Sequence, residues 1–201
     1  MPIKLIPSPA AILFDMDGVL VNTFNSWHSS FVDLFAEVYG SELRREEFLT
    51  RFWGRDLRDI FAELELALSI PDFCQGYYGG HAGKVEIYDD TRSTLAALAR
   101  FPKAVITNTP AACARLILKN LAIEQYFRKI ITGDDVATGK PDPAIVLKGC
   151  ELLGISPAQA VVVGDHRVDM EAGQRAGCRV IGVGVDGDHR IERLSELLSI
   201  L

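Results

Sequence analysis

Five short apolar runs constrain this chain more than any other feature: residues 10–15 (AAILFD), 103–108 (KAVITN), 129–134 (KIITGD), 160–165 (AVVVGD) and 179–184 (RVIGVG). Their hydrophobic residues are consecutive rather than alternate. That is the pattern of strands covered on both faces, and such strands belong to parallel sheets. After the first, each run follows a stretch with helical periodicity: 91–100 through Leu95, Leu98 and Ala99, 111–121 through Leu116, Ile117 and Leu121, 143–153 through Ile145, Val146, Cys150 and Leu153, and 168–176. Strand–helix alternation predicts an open, doubly wound α/β sheet with helices on both faces. Ile191, Leu194, Leu197, Leu198 and Leu201 predict a closing amphipathic helix.

Residues 22–89 break the alternation. They show no strand, only helical patterns at 27–38, 46–52 and 57–68 with a shorter piece at 71–78. That is too long for a loop in a compact domain, so an inserted helical domain is expected. The division predicted is 1–21 with 89–201 as the α/β core, and 22–88 as a helical cap or lid. Gly79, Gly80 and Gly83, where the chain returns, supply backbone freedom suited to a hinge.

A chain of 201 residues is long enough for one such core with an insertion. Its net charge of −6 argues against a nucleic-acid backbone or an anionic membrane as partner. No apolar run approaches the ~20 residues of a membrane span, and the prolines near the start argue against a secretory signal. The insertion holds six Lys or Arg against eleven Asp or Glu, net −5, so it is no electrostatic funnel for phosphate. Cys74, Cys113, Cys150 and Cys178 stand far apart without a C-x-x-C, the pattern of free thiols in a reducing cytoplasm rather than of a zinc knuckle or redox pair.

The chemistry sits at strand ends. The first run leads into Asp15-Met16-Asp17-Gly18, and the fourth into Gly164-Asp165 with Asp169 following. One D-x-D alone reads as a helix cap or turn. Two acidic strand ends in one sheet read differently, because ligands of such sheets bind beyond the carboxyl ends of the strands. Clustered carboxylates repel unless a cation joins them, and hard oxygen ligands without histidine or thiolate clusters select Mg²⁺. Thr107-Asn108-Thr109-Pro110 opens a helix with hydroxyl, amide and backbone donors, a weak anion cradle by itself. Lys140 lies in the proline-stiffened TGKPDP segment, where its ammonium can neutralise phosphate or a carboxylate.

In this order the motifs resemble the haloacid dehalogenase-like hydrolase superfamily, in its phosphatase branch. Asp15 through Thr23 is similar to the first motif, Thr107-Asn108 to the second, Lys140-Pro-Asp-Pro to the third, and Gly164-Asp165 with Asp169 to the fourth. The insertion resembles that family's α-helical cap. The resemblance implies that Asp15 attacks phosphorus to give an aspartyl-phosphate and that Asp17 acts as acid and base. It implies Mg²⁺ held by Asp15, the Asp17 carbonyl and Asp165, with Asp169 acting through water or by fixing Lys140. Thr107, Asn108 and Lys140 would bind phosphoryl oxygens.

An acid at position 17 is similar to the phosphatases, not to the dehalogenases. Asn22, where an acid is frequent, and His166, where a small hydroxyl is frequent, depart from the pattern. His166 and the other histidines read as structural. The segment 52–61 resembles the cap's specificity loop and is most like that of phosphoglycolate phosphatases. Arg55 and Arg58 are the candidates to meet a substrate carboxylate or second phosphate, against the plainer alternative that both pair with nearby acids. The expectation is a cytoplasmic, monomeric or homodimeric Mg²⁺-dependent phosphatase of a small phosphorylated metabolite, 2-phosphoglycolate first. A sugar-phosphate mutase or a non-catalytic phospho-accepting domain is the alternative.

Overall fold

A computed structural model describes residues 8–201; the proline-broken start of the chain at 1–7 lies outside the described residues. The five apolar runs form strands β1 (Ala11–Phe14), β4 (Lys103–Ile106), β5 (Lys129–Ile131), β6 (Ala160–Gly164) and β7 (Arg179–Val183). A sixth, β8 (His189–Ile191), joins them in one sheet of order β5-β4-β1-β6-β7-β8. All its neighbouring strands pair in parallel.

Alternate residues of each strand feed two cores. Ile12, Phe14, Val105, Val161 and Val163 face one, with α6 (Thr91–Ala97), α7 (Ala111–Asn120) and α10 (Leu197–Ile200) supplying Leu95, Ile117 and Leu197. Leu13, Ala104, Ile106 and Val162 face the other, with α8 (Ala144–Leu153) and α9 (Arg167–Ala176) supplying Val146 and Met170. Burial on both faces is why the runs are continuously apolar.

The insertion leaves and returns through a two-stranded antiparallel ribbon, β2 (Val21–Asn22) with β3 (Glu86–Ile87). Between them lie α1 (Phe24–Tyr39), α2 (Arg45–Arg51), α3 (Leu57–Glu63), α4 (Ile70–Phe73), a π-helical turn at Cys74–Tyr78, and α5 (Gly79–His81). Aromatic rings hold it together. Phe31 packs on Phe48, Phe52 and Phe73, and Trp27 packs on Phe73 and Tyr78. Asn22 accepts from the Phe24 N–H at 3.3 Å.

Several expectations need correction. The ribbon β2–β3 was not foreseen, because two residues per strand leave no periodicity to read. The closing helix is instead β8, a 3-10 turn and the four-residue α10. α3 stops at Glu63, five residues early, where Glu65 takes a left-handed φ of 51°. Gly79, Gly80 and Gly83 sit in helical turns without positive φ, so glycine's extra freedom is not used there. The cysteines are free and buried, but they are not dispersed in space: Cys74 lies against Cys113 and Cys150 against Cys178. No helix of the described residues is long and apolar enough to cross a membrane.

Candidate active site

The sheet order reverses between β1 and β6, the position where open α/β sheets bind ligands. Direct pairing of those strands sets Asp15 beside Asp165, and the Asp15 N–H bonds the Val163 carbonyl at 2.8 Å. The chain then turns sharply at Gly18, whose φ is +84°. A Cβ there would stand 1.9 Å from Asp165 Oδ2, so both the turn and the close approach require glycine.

Lys140 reaches this point from the loop after β5. Its Nζ donates to Asp15 Oδ1 at 2.7 Å, to Asp169 Oδ1 at 2.6 Å and to the Ile106 carbonyl at 3.1 Å. Asn108 aims the loop. Its Oδ1 accepts the Lys140 N–H at 2.8 Å and its Nδ2 donates to the Lys140 carbonyl at 3.0 Å. The Asn108 side chain is thereby committed, leaving its backbone for any anion. Asp169 Oδ2 accepts the His166 N–H at 3.0 Å as part of the cap of α9, and His166 Nδ1 accepts from the Val168 N–H. With one oxygen on Lys140 and the other on that N–H, Asp169 holds the lysine.

Asp17 is surrounded by donors. Oδ1 accepts from the Thr23 hydroxyl at 2.5 Å and the Trp27 indole N–H at 3.2 Å. Oδ2 accepts from the Thr109 hydroxyl at 2.7 Å and that of Thr107 at 3.2 Å. Thr23, Thr109 and Trp27 are functional candidates that the sequence did not single out. Thr109 stood in the cradle stretch with nothing tying it to Asp17, and Trp27 stood only as the first residue of a helical pattern.

Asp15, Asp165 and Asp169 each offer a carboxylate oxygen within 4.8 Å of one another. Burial, opposed by Lys140 and reinforced by Asp169, Asp165 and Asp17, pushes the Asp15 carboxyl well above the usual range. Burial and Asp169 push Asp165 up to about 7. For Lys140, burial would lower the pKa, but Asp15 and Asp169 outweigh it and the ammonium is held above its ordinary value. One ammonium among three acids leaves negative charge unbalanced in a buried place. A hard divalent cation such as Mg²⁺ fits that oxygen-only donor set.

The insertion closes the other side of the cleft with Trp27, Phe31, Phe48, Phe52, Trp53, Leu57 and Ile60. Trp53 is half-buried and lines the cleft. Gly54, with φ +76°, turns in against the His166 ring. Arg55 lines the cleft but donates to Glu63 at 2.7 Å and to the Arg51 carbonyl at 2.8 Å. Arg58 takes the plainer of its two expected courses, pairing with a nearby acid. It pairs with Asp56 at 2.5 Å and donates to the Val136 and Ala137 carbonyls at 2.8 and 3.1 Å, clasping the insertion to the core. Its backbone N–H bonds Asp56, the N-cap of α3, which turns the side chain that way.

The Rossmann-like sheet thus brings acids from its two central strands around one lysine, at the carboxyl ends where enzymes of this open α/β class hold their ligands. The haloacid dehalogenase-like hydrolase model matches residues 12–183, and the chain belongs to that family. Pyrophosphatase PpaX of Bacillus mycoides (strain KBAB4) is 29% identical, covering 94% of this chain and 95% of that one. The HAD phosphatase from Thermococcus onnurineus is 30% identical with a TM-score of 0.71, covering 94% and 96%. A "predicted phosphoglycolate phosphatase" from Haemophilus somnus 129pt has a TM-score of 0.79 at 24% identity, covering 97% and 99%, a likeness of fold.

Proposed function

We propose that this hydrolase cleaves a small phosphomonoester, carrying the phosphoryl group transiently on Asp15. The observation that carries this reading is Lys140 bridging Asp15 and Asp169 beside Asp165 at the carboxyl ends of β1 and β6. An Asp15 oxygen attacks phosphorus as the ester P–O bond breaks, and Asp17 gives its proton to the departing alkoxide. Asp17 then takes a proton from the water that attacks phosphorus, and Asp15 is freed. The hydroxyls of Thr23, Thr107 and Thr109 and the Trp27 N–H orient Asp17 for both steps. The Asn108 backbone would meet the phosphoryl oxygens directly; Lys140, its three N–H groups on Asp15, Asp169 and Ile106, would act there through its charge, and Thr107 on turning its hydroxyl from Asp17.

Asp15, Asp165 and the Asp17 carbonyl would hold Mg²⁺, with Asp169 fixing Lys140; the ion supplies positive charge against the phosphoryl oxygens. Residues 22–88 act as the cap of a core made of 1–21 and 89–201, in a cytoplasmic monomer or homodimer that takes small metabolites and no nucleic acid. Hydrolysis of 2-phosphoglycolate, the first candidate from sequence, would need Arg55 to leave Glu63, because Arg58 is committed elsewhere.

Trapping tests the mechanism. Borohydride added during turnover of p-nitrophenyl phosphate with Mg²⁺ should convert Asp15 to homoserine, found by mass spectrometry. Asp15→Asn should lose both that adduct and phosphate release while keeping its circular dichroism. Normal turnover in Asp15→Asn would remove Asp15 as nucleophile.

A further inference from the structure

The cleft has two chemically different sides. The core side carries the groups suited to phosphoryl: Asp15, Thr107, Lys140 and Asp165. The insertion side presents Phe31, Phe48, Phe52, Trp53, Leu57 and Ile60, which bear no charge. Three insertion side chains there carry N–H groups, those of Trp27, Trp53 and Arg55; the Trp53 indole offers one neutral donor, and the other two are engaged. The Trp27 N–H is on Asp17, and Arg55 is on Glu63 and the Arg51 carbonyl. The insertion as a whole carries eleven acids against six bases. A carboxylate or second phosphate placed against these rings and aliphatic side chains would lose its hydration without gaining a charged partner, unless Arg55 left Glu63. An alkyl or aryl group would instead leave water for carbon.

We infer that the substrate is a phosphomonoester of an apolar alcohol, its alkyl or aryl chain lying against Phe31, Phe52 and Trp53 while its phosphoryl end meets Asp15. The inference rests on the phosphomonoesterase reading, and it turns away from 2-phosphoglycolate and pyrophosphate, both charged at each end. It gives the aromatic wall a role in choosing substrate as well as in holding the insertion together.

Ethyl, butyl and hexyl phosphate test it, assayed on the full chain with Mg²⁺ beside 2-phosphoglycolate and pyrophosphate. The three alkanols are nearly equal leaving groups, so differences in kcat/KM report how the chain is held. We expect a rise of about fourfold per methylene. The two doubly charged compounds should fall at least about tenfold below butyl phosphate. Trp53→Ala should shrink the hexyl-to-ethyl ratio, and an unchanged ratio would overturn the placement of the chain on this wall. A flat alkyl series, or a preference for either doubly charged compound, overturns the inference and leaves the phosphatase reading standing. Failure to release phosphate from any of the five, or from p-nitrophenyl phosphate, overturns both.

Discussion

Lys140 Nζ and Asp15 Oδ1 stand 2.7 Å apart although 125 positions separate the two residues. The lysine is buried, and the same nitrogen bonds Asp169, so one ammonium joins the first strand of the sheet to the helix after its fourth apolar run. The contact is at once the charge balance of the core and the centre of the proposed chemistry.

Lys140→Met should therefore cost both stability and rate. Losing one partner of a buried ion pair costs about 3–5 kcal/mol, readable as a lower urea midpoint. Turnover of p-nitrophenyl phosphate should fall by about 10²–10³. Without the ammonium, Asp15 and Asp165 keep their protons to higher pH in the folded chain than in the unfolded one. The stability deficit should therefore grow as pH rises, and a deficit independent of pH would contradict this origin.

Magnesium and protons should compete at Asp165, whose pKa burial raises to about 7. The ion needs the carboxylate ionised, so its binding releases protons near neutrality. The half-saturating Mg²⁺ concentration should fall as pH rises from about 6 to about 8. EDTA should abolish phosphate release. Turnover that survives the chelator would remove the metal from the site.

Gly18→Ala would place a Cβ 1.9 Å from Asp165 Oδ2 at a φ of +84°. The backbone strain alone is about 1 kcal/mol, but the displaced carboxylate matters more. We expect the Mg²⁺ requirement to rise at least tenfold, by about the margin that outer partners of metal ligands control. An unchanged requirement would argue against Asp165 as a ligand.

Arg58→Ala should loosen the clasp between the insertion and the Val136–Ala137 backbone, lowering stability by about 1–2 kcal/mol. Its effect on kcat/KM should be the same for 2-phosphoglycolate and for p-nitrophenyl phosphate. A selective loss with 2-phosphoglycolate would restore Arg58 as a substrate contact.

Trp27→Phe keeps a ring against Phe73 and Tyr78 but removes the N–H on Asp17. Hydrogen bonds to charged groups are worth about 1.5–3 kcal/mol, so kcat should drop by about tenfold or more. KM should move less, because the proton donor rather than the substrate is disturbed.

The sheet was legible in the amino-acid order because strands buried on both faces must be apolar throughout, and each of the five runs became one. Short elements were not: β2, β3 and β8 are too brief to carry a period, and what makes them is pairing. Asp15, Asp17, Thr107, Asn108, Lys140, Asp165 and Asp169 could be picked as candidates because they match, in order along the chain, the motifs of the family the sequence resembles; the structure brings them into one cleft. Whether Arg55 and Arg58 face a substrate could not be read, since an arginine's reach covers several partners and the choice depends on which acids and carbonyls fold within range. Trp27 differs again: nothing local tells a buried tryptophan of α1 from one whose indole N–H also reaches Asp17, and only the folded chain makes that bond. Local order decided which residues are apolar, which are acidic and in what succession they come. Tertiary structure decided which donors were already satisfied, because hydrogen bonds and ion pairs act over a few ångströms between residues that the chain itself holds far apart.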